Sequence, residues 1–282
     1  MDKFSINGPC RVRGTIKLSG SKNASLPILA ASILFDEPVE IKNLPKVKDI
    51  ETMLDLIKSL GFSIKKNKIK NSVIIKKKRI KTFASYSLVK TMRAGILVLG
   101  PLISKYKRAT TSLPGGCLIG ARPVNFHLNA LGKLGMTHSI KKGYIYANAH
   151  KGLKGSIIKF PKISVGATEN AILAATLAKG KTILKNCAIE PEIKIDLTNF
   201  LNKAGAKIKW IGKRSVEIDG VKKLNSISHS VMADRIECGT FCVVAAISKG
   251  ELKINGLDPN IITTEIKLLK KIGAKIKTYD KT

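Results

Sequence analysis

Acidic residues and aromatics are both scarce in this chain, and each shortage excludes something. The sequence sets only 19 Asp and Glu against 51 Lys and Arg, a net charge of +32. Such a surplus attracts anions non-specifically, and a basic nucleic-acid-binding protein is one reading of it. That reading fits poorly. Nucleic-acid surfaces concentrate charge and often use Arg. Here only eight cations are Arg, and Lys is spread along the chain with one dense run at Lys76-Lys77-Lys78-Arg79. Aromatics make up 5%, too few for a base-stacking platform. Lys, Ile and Asn have A/T-rich codons, so the surplus reads as compositional bias, and no specific nucleic-acid partner is expected.

Cysteine is limited to Cys10, Cys117, Cys187, Cys238 and Cys242, an odd number with no C-x-x-C. Cys238 and Cys242 are spaced i, i+4 on an expected helix, without the His or Cys pair that zinc would need, so core packing is the reading there. This usage fits a reducing cytoplasm. Long apolar runs are missing too: those near 26–35 and 94–103 are too short to span a bilayer. The opening Met-Asp-Lys-Phe-Ser has no apolar signal region. A cytoplasmic protein with no membrane partner, metal or cofactor is therefore expected.

What is present is a globular composition, 44% hydrophobic over 282 residues, enough for two domains. Gly61, Gly135, Gly205 and Gly273 each close a helical pattern and precede a strand pattern, at intervals of 74, 70 and 68 residues. Each suits the left-handed residue that ends a helix. The helix before Gly61 shows an apolar stripe of Ile50, Met53, Leu54, Ile57 and Leu60. Four further helices are expected over 24–35, 90–102, 167–178 and 239–247. They are rich in Ala, Ile and Leu, and so are expected to be buried all round. The period gives an α/β fold of repeated βαβαββ units, about 70 residues each. Three are complete within about 19–231, and a fourth breaks off near Tyr279-Asp-Lys-Thr282.

The most distinctive stretch is Ser112-Leu-Pro-Gly-Gly-Cys117-Leu-Ile-Gly-Ala-Arg122-Pro-Val-Asn-Phe-His127. Pro114, Gly115 and Gly116 make it a loop, and Asn125 opens a helical pattern. Cationic neighbours favour a thiolate at Cys117, and paired glycines let backbone N–H groups approach an anion. Taken alone, the stretch could equally be a surface hairpin with an incidental cysteine.

This loop resembles the catalytic loop of the UDP-N-acetylglucosamine 1-carboxyvinyltransferases, the enolpyruvyl transferases of peptidoglycan synthesis. Ser19-Gly-Ser-Lys-Asn23, Leu88-Val-Lys-Thr-Met-Arg93, Lys162-Ile-Ser-Val-Gly-Ala-Thr168, Glu190-Pro-Glu-Ile193 and Asp234-Arg-Ile-Glu237 resemble further motifs, in the family's order. The resemblance implies an inside-out α/β barrel, helices inside and sheets outside, in two domains. Residues 19–231 would form one complete three-unit domain, and 1–18 with 232–282 part of a second. Ile262, Ile266 and Leu269 are then expected to lack the neighbours that would bury them. The implied reaction moves the enolpyruvyl group of phosphoenolpyruvate to the 3′-hydroxyl of UDP-N-acetylglucosamine and releases phosphate, the first committed step of peptidoglycan synthesis.

The resemblance also implies roles. Cys117 would be catalytic. Lys22, Asn23 and Arg122 would bind phosphoenolpyruvate. Arg93, Arg122, Pro123, Val124, Asn125, Phe126, Lys162, Ile163, Ser164 and Val165 would bind UDP-N-acetylglucosamine. His127, Glu190, Glu192 and Asp234 would support. Without the resemblance, Lys22 and Asn23, expected just before a helix, read as an exposed lysine and a capping Asn. Arg93, expected inside an apolar helix, needs an anion if buried or reaches solvent at a helix boundary. His127 reads as a structural histidine. Asn125 stands where the family usually has Asp, and Ile193-Lys-Ile-Asp196 is one residue longer than the family spacing. The family's aspartate base and several of its arginines fall beyond residue 282, so this chain alone is expected not to turn over. A complementary C-terminal fragment is a conceivable partner, and half of a split enzyme or a non-catalytic UDP-sugar-binding fragment is an alternative. The shikimate-pathway transferase shares the fold but lacks the Cys117 loop.

Overall fold

The computed structural model describes residues 3–5, 7–67, 69, 71–90, 92–115 and 124–279. The chain divides into two compact units, Lys22–Val231 and Met1–Ser21 with Met232–Thr282. It begins in the smaller unit with β1 (Arg13–Lys17).

The larger unit repeats one module three times. The first module holds α1 (Lys22–Ala31), β2 (Val39–Lys42), α2 (Lys48–Ser59), β3 (Phe62–Asn67) and β4 (Ser72–Lys77). The second runs β5 (Phe83–Ala84), α3 (Tyr86–Val89), a 3-10 helix (Arg93–Val98), α4 (Leu99–Tyr106), β6 (Arg108–Ser112), α5 (Asn125–Lys133), β7 (Thr137–Lys141) and β8 (Tyr144–Asn148). The third runs β9 (Ile157–Lys159), α6 (Val165–Ala175), β10 (Lys181–Lys185), a π-helix (Glu192–Leu197), α7 (Thr198–Lys203), β11 (Lys207–Gly212) and β12 (Ser215–Asp219). Then comes β13 (Ile227–Ser230).

Each module makes a four-stranded sheet of one pattern: a parallel pair, then an antiparallel hairpin. The orders are β13-β2-β4-β3, β5-β6-β8-β7 and β9-β10-β12-β11. In the first, Ile227 lies opposite Val39 and Val39 opposite Ile75. The opening strand of that sheet is thus supplied by β13, after the third module rather than before the first.

Helices form the interior. Every residue from Ala24 to Ala31 and from Ala167 to Ala175 is buried. Truncating Ile28 or Leu29, both fully buried, to Ala would cost about 2–5 kcal/mol. The amphipathic α2 buries its whole expected stripe. The strands alternate: Val73 and Ile75 are buried while Ile74 is exposed. The closing glycines all have positive φ, +94° at Gly61 and +103° at Gly135 among them.

One expected helix is not continuous. Over 90–102 the chain breaks at Met92, which is extended (φ −142°, ψ 120°), and restarts as the 3-10 helix. A Cβ on Gly95 would sit 3.1 Å from Val89 Cγ1, so the turn packs tightly back on α3. Arg93 therefore stands at a helix boundary, not inside a helix.

In the smaller unit, β1 pairs in parallel with β14 (Glu251–Asn255), Arg13 opposite Glu251. α8 (Arg235–Ile247) and α9 (Thr263–Lys271) flank them. Leu18, Cys238 and Ile262 form the buried cluster, with Phe241, Ile254 and Leu257 packed against it. Two expectations fail here. α8 is not buried all round: Ile236, Val243 and Ile247 are 52%, 51% and 81% exposed. Its partners within the unit are β14, α9 and the 3-10 turn Pro259–Ile262, which leave part of its circumference uncovered. Ile262 and Leu269 are buried, and Ile266 partly so, because that turn folds Ile262 onto Leu18 and Cys238. The exposed apolar residues of α9 and its end are Leu268 and Ile272. Among the described residues no helix is long and apolar enough to cross a membrane, and no group of three or more His, Cys, Asp or Glu could hold a metal ion.

Candidate functional site

Helix N-termini and a buried polar node organise the candidate residues. Lys22 and Asn23 are the first two residues of α1, not residues preceding it. Lys22 Nζ pairs with Asp49 Oδ2 on α2 at 3.2 Å, with both side chains partly exposed. Asn23 is exposed. A helix start is where backbone N–H groups can meet an anion, and α1 packs against the 3-10 helix, the π-helix and α6.

Ser164 begins α6. Its Oγ accepts from Ala167 N at 3.3 Å, the ordinary N-cap bond. Its carbonyl accepts from Thr168 Oγ1 at 2.7 Å, and that hydroxyl accepts from Ala188 N at 3.1 Å. The turn is thereby tied to the segment carrying Glu190. Lys162, Ile163 and Val165 are exposed around it, free to meet a ligand.

His127 lies two residues into α5, 6% exposed. A Cβ on Gly166 would come within 3.1 Å of His127 Cε1 and 3.4 Å of Nε2, so the ring lies against the first turn of α6. Burial, and then the charge of Arg93, push His127 down to about 4. The structure thus sets His127 against the Ser164–Gly166 turn and within reach of the charge of Arg93. Val124 and Asn125 start α5, with Asn125 exposed and Phe126 half-buried. Cys117, Arg122 and Pro123 lie outside the described residues.

Glu190 lies two residues before the π-helix and Glu192 opens it, Glu192 only 3% exposed. Ile193-Lys-Ile-Asp196, expected to run one residue longer than the family spacing, lies inside this π-turn, which holds one residue more than an α-turn does. A third carboxyl was not singled out from sequence. Glu169 on α6 is buried, and its pKa is raised well above the usual carboxylate range by burial and by Glu190 and Glu192. Its neighbour Asn170 was missed as well. The available signal was a Glu-Asn pair inside an Ala, Ile and Leu helix, where each polar group must find a partner. Asp234, in the smaller unit, caps α8: its Oδ1 accepts from Ile236 N and Glu237 N at 2.8 and 3.1 Å. A surface depression lined by Arg108, His138, Tyr146 and Asn148 contains none of the candidate residues.

Known proteins place this arrangement. Residues 6–282 match the family model described as EPSP synthase (3-phosphoshikimate 1-carboxyvinyltransferase). A UDP-N-acetylglucosamine 1-carboxyvinyltransferase of Pelagibacter ubique is 60% identical over 276 residues, which are 98% of this chain and 66% of that protein. One of Proteus mirabilis is 46% identical over 279 residues, 99% of this chain and again 66% of the relative. The chain thus spans 66% of the length of these curated relatives. In fold it is similar to the enolpyruvyl transferase NikO from Streptomyces tendae, with a TM-score of 0.86 at 20% identity, covering 98% of this chain and 66% of that one. It is also similar to EPSP synthase from Acinetobacter baumannii, with a TM-score of 0.76 at 20% identity, covering 95% and 61%. With the family model matched from residue 6 to residue 282, the chain belongs to the EPSP synthase family of enolpyruvyl transferases.

Proposed function

We propose that residues 1–282 carry the UDP-N-acetylglucosamine-binding part of an enolpyruvyl transfer site, acting in the first committed step of peptidoglycan synthesis in the cytoplasm. The observation that carries this reading is His127 set against the capped α6 turn at Ser164–Gly166, within reach of the charge of Arg93. It offers a fixed cation and backbone N–H groups at a helix start, which suits a diphosphate. In the proposed reaction the 3′-hydroxyl of the sugar adds to the enol carbon of phosphoenolpyruvate while the methylene carbon takes a proton. The tetrahedral phosphoketal then loses a proton and phosphate to give the enolpyruvyl ether. Cys117 would deliver the first proton or capture the enolpyruvyl group. Lys22, Asn23 and Arg122 would hold phosphoenolpyruvate, and Pro123, Val124, Asn125, Phe126, Lys162, Ile163 and Val165 would line the nucleotide. Glu190, Glu192 and Asp234 are proposed as supporting carboxylates, with 22–231 as the nucleotide-binding domain.

The resemblance puts the hydroxyl-activating aspartate outside residues 1–282. Binding without turnover is therefore the expected behaviour of these residues alone, with turnover dependent on a complementary C-terminal fragment. Calorimetric titration of purified 1–282 with UDP-N-acetylglucosamine should show binding. Arg93→Ala should weaken it by on the order of 1.5–3 kcal/mol, the loss of a charge-assisted contact. Folded protein that takes up no UDP-sugar would refute the reading.

A further inference from the structure

The side chain of Asn170 is completely buried at the centre of the larger unit and makes three hydrogen bonds. Two go to backbone groups whose roles are fixed. Gly100 N–H can only donate, and it meets Oδ1 at 2.8 Å. Ile96 C=O can only accept, and it meets Nδ2 at 3.1 Å. The amide therefore has one possible orientation, which the usual ambiguity between its O and N does not touch. The approach of Gly100 is close enough to demand glycine, since a Cβ there would stand 2.2 Å from Oδ1.

The third bond joins Nδ2 to His127 Nδ1 at 3.1 Å. An amide nitrogen donates and does not accept. His127 Nδ1 must then be the acceptor and carry no proton, which leaves the ring proton on Nε2. Protonating both nitrogens would break this bond and bury a cation near Arg93, a cost with no compensation. The Nε2 edge of the ring faces Gly166, and among the described residues nothing accepts from Nε2.

We propose that Asn170 is a positioning residue that locks His127 in the Nε2–H tautomer, so that His127 offers a hydrogen-bond donor beside the first turn of α6. The ligand atom it selects is an oxygen acceptor, a carbonyl or phosphoryl oxygen of the nucleotide. This last step rests on the function proposed above; the lock itself does not. Asn170 thus acts through His127 and not on the ligand.

The lock can be read directly by long-range 1H–15N correlation on histidine-labelled 1–282 without ligand. The His127 signals, identified by their loss in His127→Gln, should show a protonated Nε2 and an unprotonated Nδ1. An Nδ1–H tautomer, or averaging of the two, in the wild-type protein overturns the proposal. In Asn170→Asp the group facing Nδ1 becomes an acceptor, so the proton should move to Nδ1. UDP-N-acetylglucosamine binding should fall about tenfold, one hydrogen bond's worth. Gly100→Ala, which displaces the Asn170 amide without placing an acceptor against Nδ1, should release the lock and give averaging of the two tautomers. A switched tautomer with undiminished UDP-sugar binding overturns the ligand-selecting role. Wild-type protein with the expected tautomer but no UDP-sugar binding supports the lock and instead refutes the function proposed above.

Discussion

Two buried titratable groups on neighbouring helices pull stability in opposite directions with pH. His127 is held at about 4 by burial and by Arg93, below its ordinary value near 6.5. The unfolded chain therefore binds more protons between those values. The contribution of His127 is complete above the unfolded pKa and is lost as pH falls through the folded one, on the order of 3 kcal/mol in all. Glu169 behaves oppositely. Burial and its two carboxylate neighbours raise its pKa, so the folded state holds a proton that the unfolded state releases above about 4.5. Stability is lost as pH rises from there through the folded pKa. Glu169→Gln should therefore raise the melting temperature at pH 8 and change it little at pH 4.5. Melts showing equal shifts at both pH values would mean that Glu169 does not carry a displaced proton. At this scale the sequence was partly legible. Lys22 and Ser164 stood out through the family resemblance, which matches short contiguous motifs at helix starts. Glu169 and Asn170 did not, because their meaning lies in partners about 20 and 70 residues away.

Elements were more legible than residues wherever a backbone constraint leaves a local mark. Gly61 and Gly135 end α2 and α5, both with positive φ. They differ in their surroundings. A Cβ on Gly61 would lie 1.8 Å from Arg79 O, whereas the nearest atom to one on Gly135 is Gly152 O at 3.9 Å. Gly135→Ala should cost only the left-handed strain of an L-residue, about 1–2 kcal/mol. Gly61→Ala should cost clearly more, because the connection at Arg79 between β4 and β5 must also move. Urea unfolding of both variants measures the difference, and equal midpoints would contradict the close approach. Other elements left weaker marks. The broken helix at Met92 reads as continuous because its composition from Ala94 to Leu102 is apolar, while the turn at Gly95 packs back on Val89. The π-turn at Glu192–Leu197 showed only as one surplus residue, with nothing in the residue types to say how it is accommodated. Its consequence is visible in the fold: Asp196 reaches buried His229 on β13 at 2.9 Å.

At the scale of the whole chain, the repeat was legible but its closure was not. The period of about 70 residues came from glycines and helix composition, whereas β13 joins β2 across 188 residues. A parallel pairing at that distance has no sequence signature and is closed only after most of the unit has assembled. β1 likewise waits for β14. The two units also differ in how much they bury. The larger unit buries α1 from Ala24 onward and α6 from Ala167 onward, while the smaller rests on Leu18, Cys238, Ile262 and Leu269 and exposes much of α8. Local stability follows buried apolar contact. Hydrogen exchange on the intact chain should therefore find α9 and β14 opening well before α1 and α6. The amides of α1 and α6 should exchange only on global unfolding of their unit. Exchange in β13 should track that in β2, because the two share one ladder. Protection in α9 equal to that in α6 would show that the exposed apolar residues of the smaller unit are covered in solution. β13 exchanging together with β14 would show that the first sheet opens at its parallel edge, and that the closure across 188 residues does not hold the larger unit together.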